Sequence, residues 1–222
     1  MSRILSTNRT SEMSDTEQSC SVCPGIVVEM AKRTIDRRVA RTRETLQRAL
    51  ISLILKKGYD AITVEDICEA ANVGRSTFYA HYTGKDDLKR KGLEEHLRGQ
   101  LADRKKHAPA AAGDEHRSLG FSLTMFEHAR DHADLHRALA GGRGGAIAHG
   151  SIRQILSDQV RGELAATLDK TSADIAPREL IVQYVVGAYM AVLIWWLDGG
   201  AKLPPKRIDE MFRRLTTEGI GS

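Results

Sequence analysis

The chain has 222 residues, 41% of them hydrophobic, with 33 Lys/Arg against 29 Asp/Glu and only three cysteines. That length exceeds one small helical domain and suffices for a small domain plus a larger one with its own core. Cys20, Cys23 and Cys68 make no disulfide framework and no secretory signal opens the chain, so a reducing cytoplasm is the expected compartment.

Charge is unevenly spread. Residues 30–106 carry 18 Lys/Arg against 11 Asp/Glu, residues 1–29 carry 2 against 4, and residues 107–222 carry 13 against 14. A positive field confined to one segment suits a phosphate backbone, although Lys and Arg also simply solvate helix faces. No alternating strand pattern persists, so the expected fold is all-α.

Residues 1–30 are polar, lack helical periodicity and are expected to be disordered; Met30 is a candidate natural start. Cys20-Ser21-Val22-Cys23 has redox or half-zinc spacing, but no second ligand pair lies nearby and the cysteines read as incidental. A basic arm over 31–43 follows, with Lys32, Arg33, Arg37, Arg38, Arg41 and Arg43 against the single acid Asp36. Such an arm can follow a phosphate backbone or enter a minor groove; the alternative is a solvated helix start.

The first helix is predicted over about 41–57, with Leu46, Ala49, Leu50, Leu53 and Ile54 on one face and Gly58 as its stop. Thr63 then stands where an N-cap belongs, with Asp66 three residues on in place of the usual Glu or Gln of a capping box. Val64, Ile67, Cys68 and Ala71 form one apolar face. Asn72-Val73-Gly74 supplies a tight turn, since Asn and Gly tolerate left-handed backbone. A second short helix carries Phe78 and Tyr82 as inward anchors. Its other face shows Arg75, Ser76, Thr77, Tyr79 and His81, all hydrogen-bond donors. Two short helices joined this way form a helix-turn-helix, which sets its second helix in the DNA major groove.

The whole run, Lys57-Gly58-Tyr59, Thr63-Val64-Glu65-Asp66-Ile67, Gly74-Arg75-Ser76-Thr77-Phe78-Tyr79-Ala80-His81-Tyr82 and Lys85-Asp86-Asp87-Leu88, resembles the TetR family of bacterial transcriptional regulators. The resemblance implies an N-terminal three-helix DNA-binding unit over 31–84 and a helical regulatory and dimerisation domain over 85–222. It implies that Arg75, Ser76 and Thr77 face base edges, where Arg suits guanine O6 and N7. Tyr79 and His81 would lie against phosphate or thymine methyl groups, and Lys85 would grip phosphate. Thr63 would cap its helix and also touch phosphate, and Arg41 would join from the arm. Tyr82 is counted with this surface too, although with Phe78 its placement favours the core.

A fourth helix is predicted after Thr83-Gly84, with Leu88, Leu93, Leu97 and Leu101 inward, and 107–114 reads as a connector. Phe121, Met125, His128 and His132 mark the next helix face, followed by a short segment over 135–139 that the glycine run at 141–145 stops. A helix over about 146–168 places Ile152, Ile155, Leu156, Val160 and Leu164 inward. The apolar run 180–197 has nearly the length of a membrane span. With no second span and no positive-inside pattern, it is expected to be buried in protein. A last helix opens at Pro204-Pro205 with Ile208, Met211, Phe212 and Leu215 on one face.

By the same resemblance, the helices over 177–198 and 204–218 form a homodimer interface through Tyr184, Ala188, Ala191, Trp195, Ile208, Met211, Phe212 and Leu215. A small-molecule effector would meet Phe121, Met125, His128, Tyr184 and Tyr189, with plain core as the alternative for the same residues. No nucleophile elbow, phosphate loop or HExxH occurs, so no enzymatic activity is expected. His128, His132 and His136 are spaced by four. Two such histidines can share Zn²⁺, yet no further ligand is evident in the sequence, and no metal or cofactor is expected. The implied function is a cytoplasmic, nucleoid-associated homodimeric repressor on a palindromic double-stranded operator, released by a small molecule. The alternatives are control by a metal ion or protein partner, and activation instead of repression.

Overall fold

The structure, a computed structural model, describes residues 24–107, 119–167 and 177–219. The described residues up to Ala40 belong to one unit and those from Arg41 to a second. Among the described residues the chain is helical throughout, with no strand: α1 Pro24–Lys57, α2 Val64–Ala71, α3 Arg75–His81, α4 Lys85–His107, α5 Phe121–Asp131, α6 Ala133–Leu139, α7 Arg143–Thr167, α8 Arg178–Asp198 and α9 Pro205–Thr217. The all-α expectation holds.

One expectation at the N-terminus changes: of the stretch 1–30 expected to be disordered, residues from Pro24 on are helical, and residues 1–23 lie outside the described ones. The basic stretch 31–43 is part of α1, which agrees with the alternative of a helix start. The connector expected at 107–114 lies outside the described residues beyond His107.

Two hydrophobic cores organise Arg41–Ser222. The first gathers Leu46, Leu50 and Ile54 of α1, Tyr59, Ile62, Ile67 of α2, Phe78 of α3 and Leu88 of α4. Leu139 of α6 is buried in it as well, with Leu135 and Ile147 packed alongside. The second gathers Leu97 of α4, Phe121, Met125 and Phe126 of α5, Ile155 and Leu156 of α7, Val186, Tyr189 and Trp196 of α8, and Ile208 and Phe212 of α9. Helix α4 thus feeds both cores, with Leu88 in one and Leu97 in the other. Tyr189 is fully buried between Phe121, Phe126 and Phe212, at centroid distances of 5.5, 4.7 and 5.4 Å.

One polar knot lies in the second core. Asp209 of α9 is buried and accepts from Ser122 Oγ of α5 and from Arg213 Nε at 2.9 Å. Arg213 Nη2 also donates to the Leu119 carbonyl at 2.7 Å, and Glu163 accepts from the Leu119 N–H at 3.1 Å. Leu119 has φ 62°, a left-handed conformation costly for a branched residue. These bonds to its N–H and C=O hold it there.

Helix α8 is the one described helix long and apolar enough to cross a membrane, by length and composition. Val182, Val185, Val186, Met190, Leu193 and Leu197 bury one side of it in the core. Its other side is exposed, with Leu180 at 59%, Tyr184 at 57% and Trp195 at 62%.

Candidate nucleic-acid interface

The expected capping box forms with Asp in the third position. Thr63 Oγ1 accepts from the Asp66 N–H at 3.1 Å, and Asp66 Oδ2 accepts from the Thr63 N–H at 2.7 Å. Lys57 of α1 pairs with the same carboxylate at 2.8 Å. The Lys57 contact, then the bonds that the Thr63 N–H and the Thr63 hydroxyl donate to Oδ2, each at 2.7 Å, hold the Asp66 carboxyl well below the usual range. Asn72 ends α2 in the left-handed conformation, at φ 50°. Asn72 alone takes the backbone that the turn demands, since Gly74 is extended at φ −65°.

Helix α3 is anchored by Phe78, which is fully buried. Its ring meets Tyr79 edge-on at 5.3 Å and Tyr82 at 5.9 Å. Arg75, Ser76, Thr77 and Tyr79 are exposed, and His81 is half-buried. Arg75, Ser76 and Thr77 open the helix and Tyr79 lies one turn on, so the exposed side of α3 is rich in donors. Arg75 pairs with Glu65 of α2 at 3.2 Å. Both are well exposed, so the pair is weak and exchangeable for a stronger acceptor. Arg41 is exposed on α1, and its carbonyl accepts from Thr45 Oγ1 at 2.8 Å.

Two expected contacts are placed differently. Tyr82 is 2% exposed, and its ring belongs to the first core. It therefore anchors α3 and does not present itself to DNA. Lys85 Nζ donates to the carbonyls of Tyr59, Asp60 and Ile62 at 3.1, 3.2 and 2.7 Å. An ammonium has three donors, and all three are engaged within the fold. Lys85 clasps the start of α4 to the α1–α2 loop, a role hidden from local sequence because the carbonyls lie 23–26 residues away.

The same loop meets the start of α7. Tyr59 is buried and its hydroxyl donates to Asp86 of α4; Arg143 reaches that carboxylate at 2.5 Å. Burial first, then the Asp86 bond, drives the Tyr59 hydroxyl pKa far up. The glycine run stops α6, as the sequence implies: the helix ends at Leu139 and Gly141 follows at φ 75°. Beyond that stop, Gly144 and Gly145 lie in the first turn of α7 and are buried. A Cβ on Gly145 would stand 2.6 Å from the Leu139 carbonyl oxygen, and one on Gly142 would stand 2.8 Å from Asp60 Oδ2. The run is a close-approach surface between α7 and the helix-turn-helix core.

A cleft of about 150 Å³ lies between α1, α4 and α5–α6, walled by Leu50, Ile54, Leu93 and Leu135 and bordered by Lys89, His96, His128 and His132. Burial lowers the Lys89 ammonium to about 8. Burial and the neighbouring His132 and His96 lower His128 to about 3, and burial and His132 lower His96. Neither Lys89 nor His96 was singled out from sequence. On α4 they resemble any other polar residues of a charged helix, and only the packing of α1 and α5 distinguishes them.

The profile described as bacterial regulatory proteins, tetR family, matches residues 48–90, and one described as transcriptional regulator C-terminal region matches residues 118–218. The chain belongs to the TetR family. The uncharacterised HTH-type transcriptional regulator YxbF of Bacillus subtilis is 30% identical over 187 residues. That match covers 82% of this chain and 46% of YxbF, so the chain spans about half the length of that relative. IcaR of Staphylococcus epidermidis, a negative regulator of a biofilm operon, is 39% identical over 44 residues, 20% of this chain and 24% of IcaR. Among solved structures, a TetR-family regulator from Syntrophomonas wolfei superposes with TM-score 0.60 at 17% identity, covering 82% of this chain and 96% of the other. All three relatives are named as transcriptional regulators.

Within this TetR-family fold, the five residues expected to meet an effector fall in three different surroundings. Phe121, Met125 and Tyr189 are closed core at 2% exposure or less, because aromatic packing fills the space between them. Tyr184 points outward from α8. Of the five, only His128 lines the cleft. The expected dimer residues divide. Tyr184, Ala191, Trp195, Met211 and Leu215 are exposed and Ala188 is half-buried, whereas Ile208 and Phe212 are buried in the subunit's own core. The histidine stripe divides as well. His136 lies beside His149, at a centroid distance of 6.0 Å, and 3.8 Å from Asp198. His96 takes its place beside His128 and His132.

Proposed function

We propose that this chain is a cytoplasmic homodimeric repressor. Its 31–84 segment reads a palindromic operator through α3, and its 85–222 segment dimerises and receives a small-molecule effector. The observation that carries this reading is the split face of α3. Phe78 is fully buried, while Arg75, Ser76, Thr77 and Tyr79 of the same helix stand in solvent. That is the side-chain set that hydrogen-bonds base edges and phosphates.

Dimerisation is supported by an apolar stripe. Leu180, Tyr184 and Trp195 on α8 and Met211 and Leu215 on α9 are all at least 40% exposed. Large apolar side chains so arrayed favour burial against a second copy. Repression is favoured by the helix-turn-helix likeness to the negative regulator IcaR. Effector control is supported by α4, whose Leu88 and Leu97 lie in different cores, so a ligand that displaces it moves the reading unit. Such a ligand acts only through its differential affinity for the two arrangements.

Selection of bound fragments from the source genome by the purified protein, at two salt concentrations, tests this reading. A palindrome with half-sites about 34–36 Å apart is the expected result. Arg75→Ala and Tyr79→Ala should each weaken binding while the protein stays folded and dimeric. Absence of enrichment at low salt from folded, ligand-free protein would reject the DNA reading.

A further inference from the structure

Three imidazoles from two parts of the sequence converge at the rim of the cleft. His96 comes from α4, His128 from α5, and His132 from the junction of α5 and α6. One nitrogen from each lies within 4.8 Å of the other two. The ring centroids are 4.3 Å apart for His128–His132, 5.0 Å for His96–His128 and 5.8 Å for His96–His132.

We propose that His96, His128 and His132 hold a divalent transition metal of the zinc class, which pins α4 to α5. Tetrahedral zinc with Zn–N of about 2.0–2.1 Å sets its ligating nitrogens ~3.4 Å apart, so side-chain rotations of about an ångström complete the site. His132 Nδ1 lies 2.9 Å from the His128 carbonyl. Donation there fixes the tautomer and leaves Nε2 with its lone pair, the orientation that a metal-ligating histidine takes from a backbone acceptor. His128 Nδ1 is buried without a hydrogen-bond partner, a cost that coordination at this ring removes. His96 Nε2 is met by the Gln100 amide at 3.1 Å, which a metal at that nitrogen would displace.

The donor set selects the ion. Three imidazoles without a carboxylate suit zinc, copper or nickel and not magnesium or calcium. Three protein ligands leave a coordination position for water or a small donor from the cleft. The cleft, at about 150 Å³, is smaller than the ~300–1,000 Å³ of drug-sized ligand sites, and so suits an ion with a small co-ligand. Lys89 borders the same cleft but directs its ammonium to the Tyr59 ring, at 5.7 Å.

The regulatory consequence rests on the DNA-binding reading. Gln47 and Leu50 of α1 and Leu88 of α4 line the cleft along with the histidines, so a metal there braces the reading unit against α5.

The test uses the full chain with Cys20→Ser and Cys23→Ser, so that the Cys-x-x-Cys pair contributes no thiolate, after treatment with chelator. Titration with Zn²⁺ against a chromophoric chelator should show one tight site per chain, and Co²⁺ should give the intense visible bands of a four-coordinate ion. His96→Gln and His132→Gln should each weaken binding at least tenfold, with metal-free melting temperatures confirming that both fold. His136→Gln should bind as the parent does. A parent that binds no tighter than the His96 and His132 variants overturns the site. Operator binding is then measured with and without Zn²⁺. A zinc-dependent change absent from the His96 and His132 variants supports the bracing role, and zinc binding with unaltered DNA affinity rejects it. Failure to bind any DNA would count against the DNA reading and leave the metal titration intact.

Discussion

Gly144 lies against the ring of Tyr59, so close that a Cβ on it would stand 2.7 Å from the ring's Cγ and 2.6 Å from Leu139 Cδ2. Tyr59 belongs to the helix-turn-helix core, and Gly144 to the first turn of α7. Gly144→Ala should therefore force the two apart and cost about 1–3 kcal/mol, the usual penalty of overpacking. Gly150, also on α7, has nothing within 4 Å of its notional Cβ. Gly150→Ala should stabilise the helix by up to about 1 kcal/mol. Urea unfolding of both variants checks the pair. Equal shifts would mean that Gly144 is not a contact point.

Lys85 should act on stability more than on DNA electrostatics. Its three donors satisfy the Tyr59, Asp60 and Ile62 carbonyls. Lys85→Met leaves those acceptors without their partner and should cost about 1–3 kcal/mol. If Lys85 instead neutralised a phosphate, the variant would reduce the slope of log K against log salt by about one. An unchanged slope with lowered stability is the expected result.

The sequence made much of α1–α3 legible because the signals there are local. Thr63 and Asp66 are three residues apart, Asn72 carries its own left-handed turn, and Gly58 ends α1 at φ 74°. The site residues were harder wherever their partners are distant in sequence. The periodicity of α9 placed Ile208, Met211, Phe212 and Leu215 on one stripe. The stripe is real, yet only Ile208 and Phe212 face the subunit's own core, while Met211 and Leu215 face solvent. Periodicity reports apolar positions and not which neighbour covers them. His96 was missed for the same reason, since it sits 32 residues from His128 and only α4–α5 packing joins the two rings.

The exposed stripe gives a direct test of dimerisation. Tyr184 and Trp195 are 57% and 62% exposed on α8. Tyr184→Glu with Trp195→Glu places two carboxylates in a face that pairs with itself, where burial of unpaired charge is costly. The subunit core is untouched, because neither residue belongs to it. Sedimentation should report a folded monomer for the variant and a dimer for the parent. A dimer in both would move the interface away from α8.

Lys89 makes stability depend on pH in a definite direction. It is 8% exposed, and burial lowers its ammonium from 10.5 to about 8. Between those values the unfolded chain holds the proton and the folded chain does not, so stability rises with pH across that window. Below about 8 the ammonium is retained in both states, and its full burial cost is present. Lys89→Met removes that cost and should stabilise the protein at pH 7 by about 3 kcal/mol, at ~1.4 kcal/mol per pH unit of displacement. The gain should shrink as pH rises from 8 and approach zero above 10.5. Denaturation of parent and variant at pH 7 and pH 10 isolates the effect, because other titrating groups are common to both chains. An equal gain at the two pH values would show that Lys89 is hydrated or paired in solution, with no burial cost to relieve.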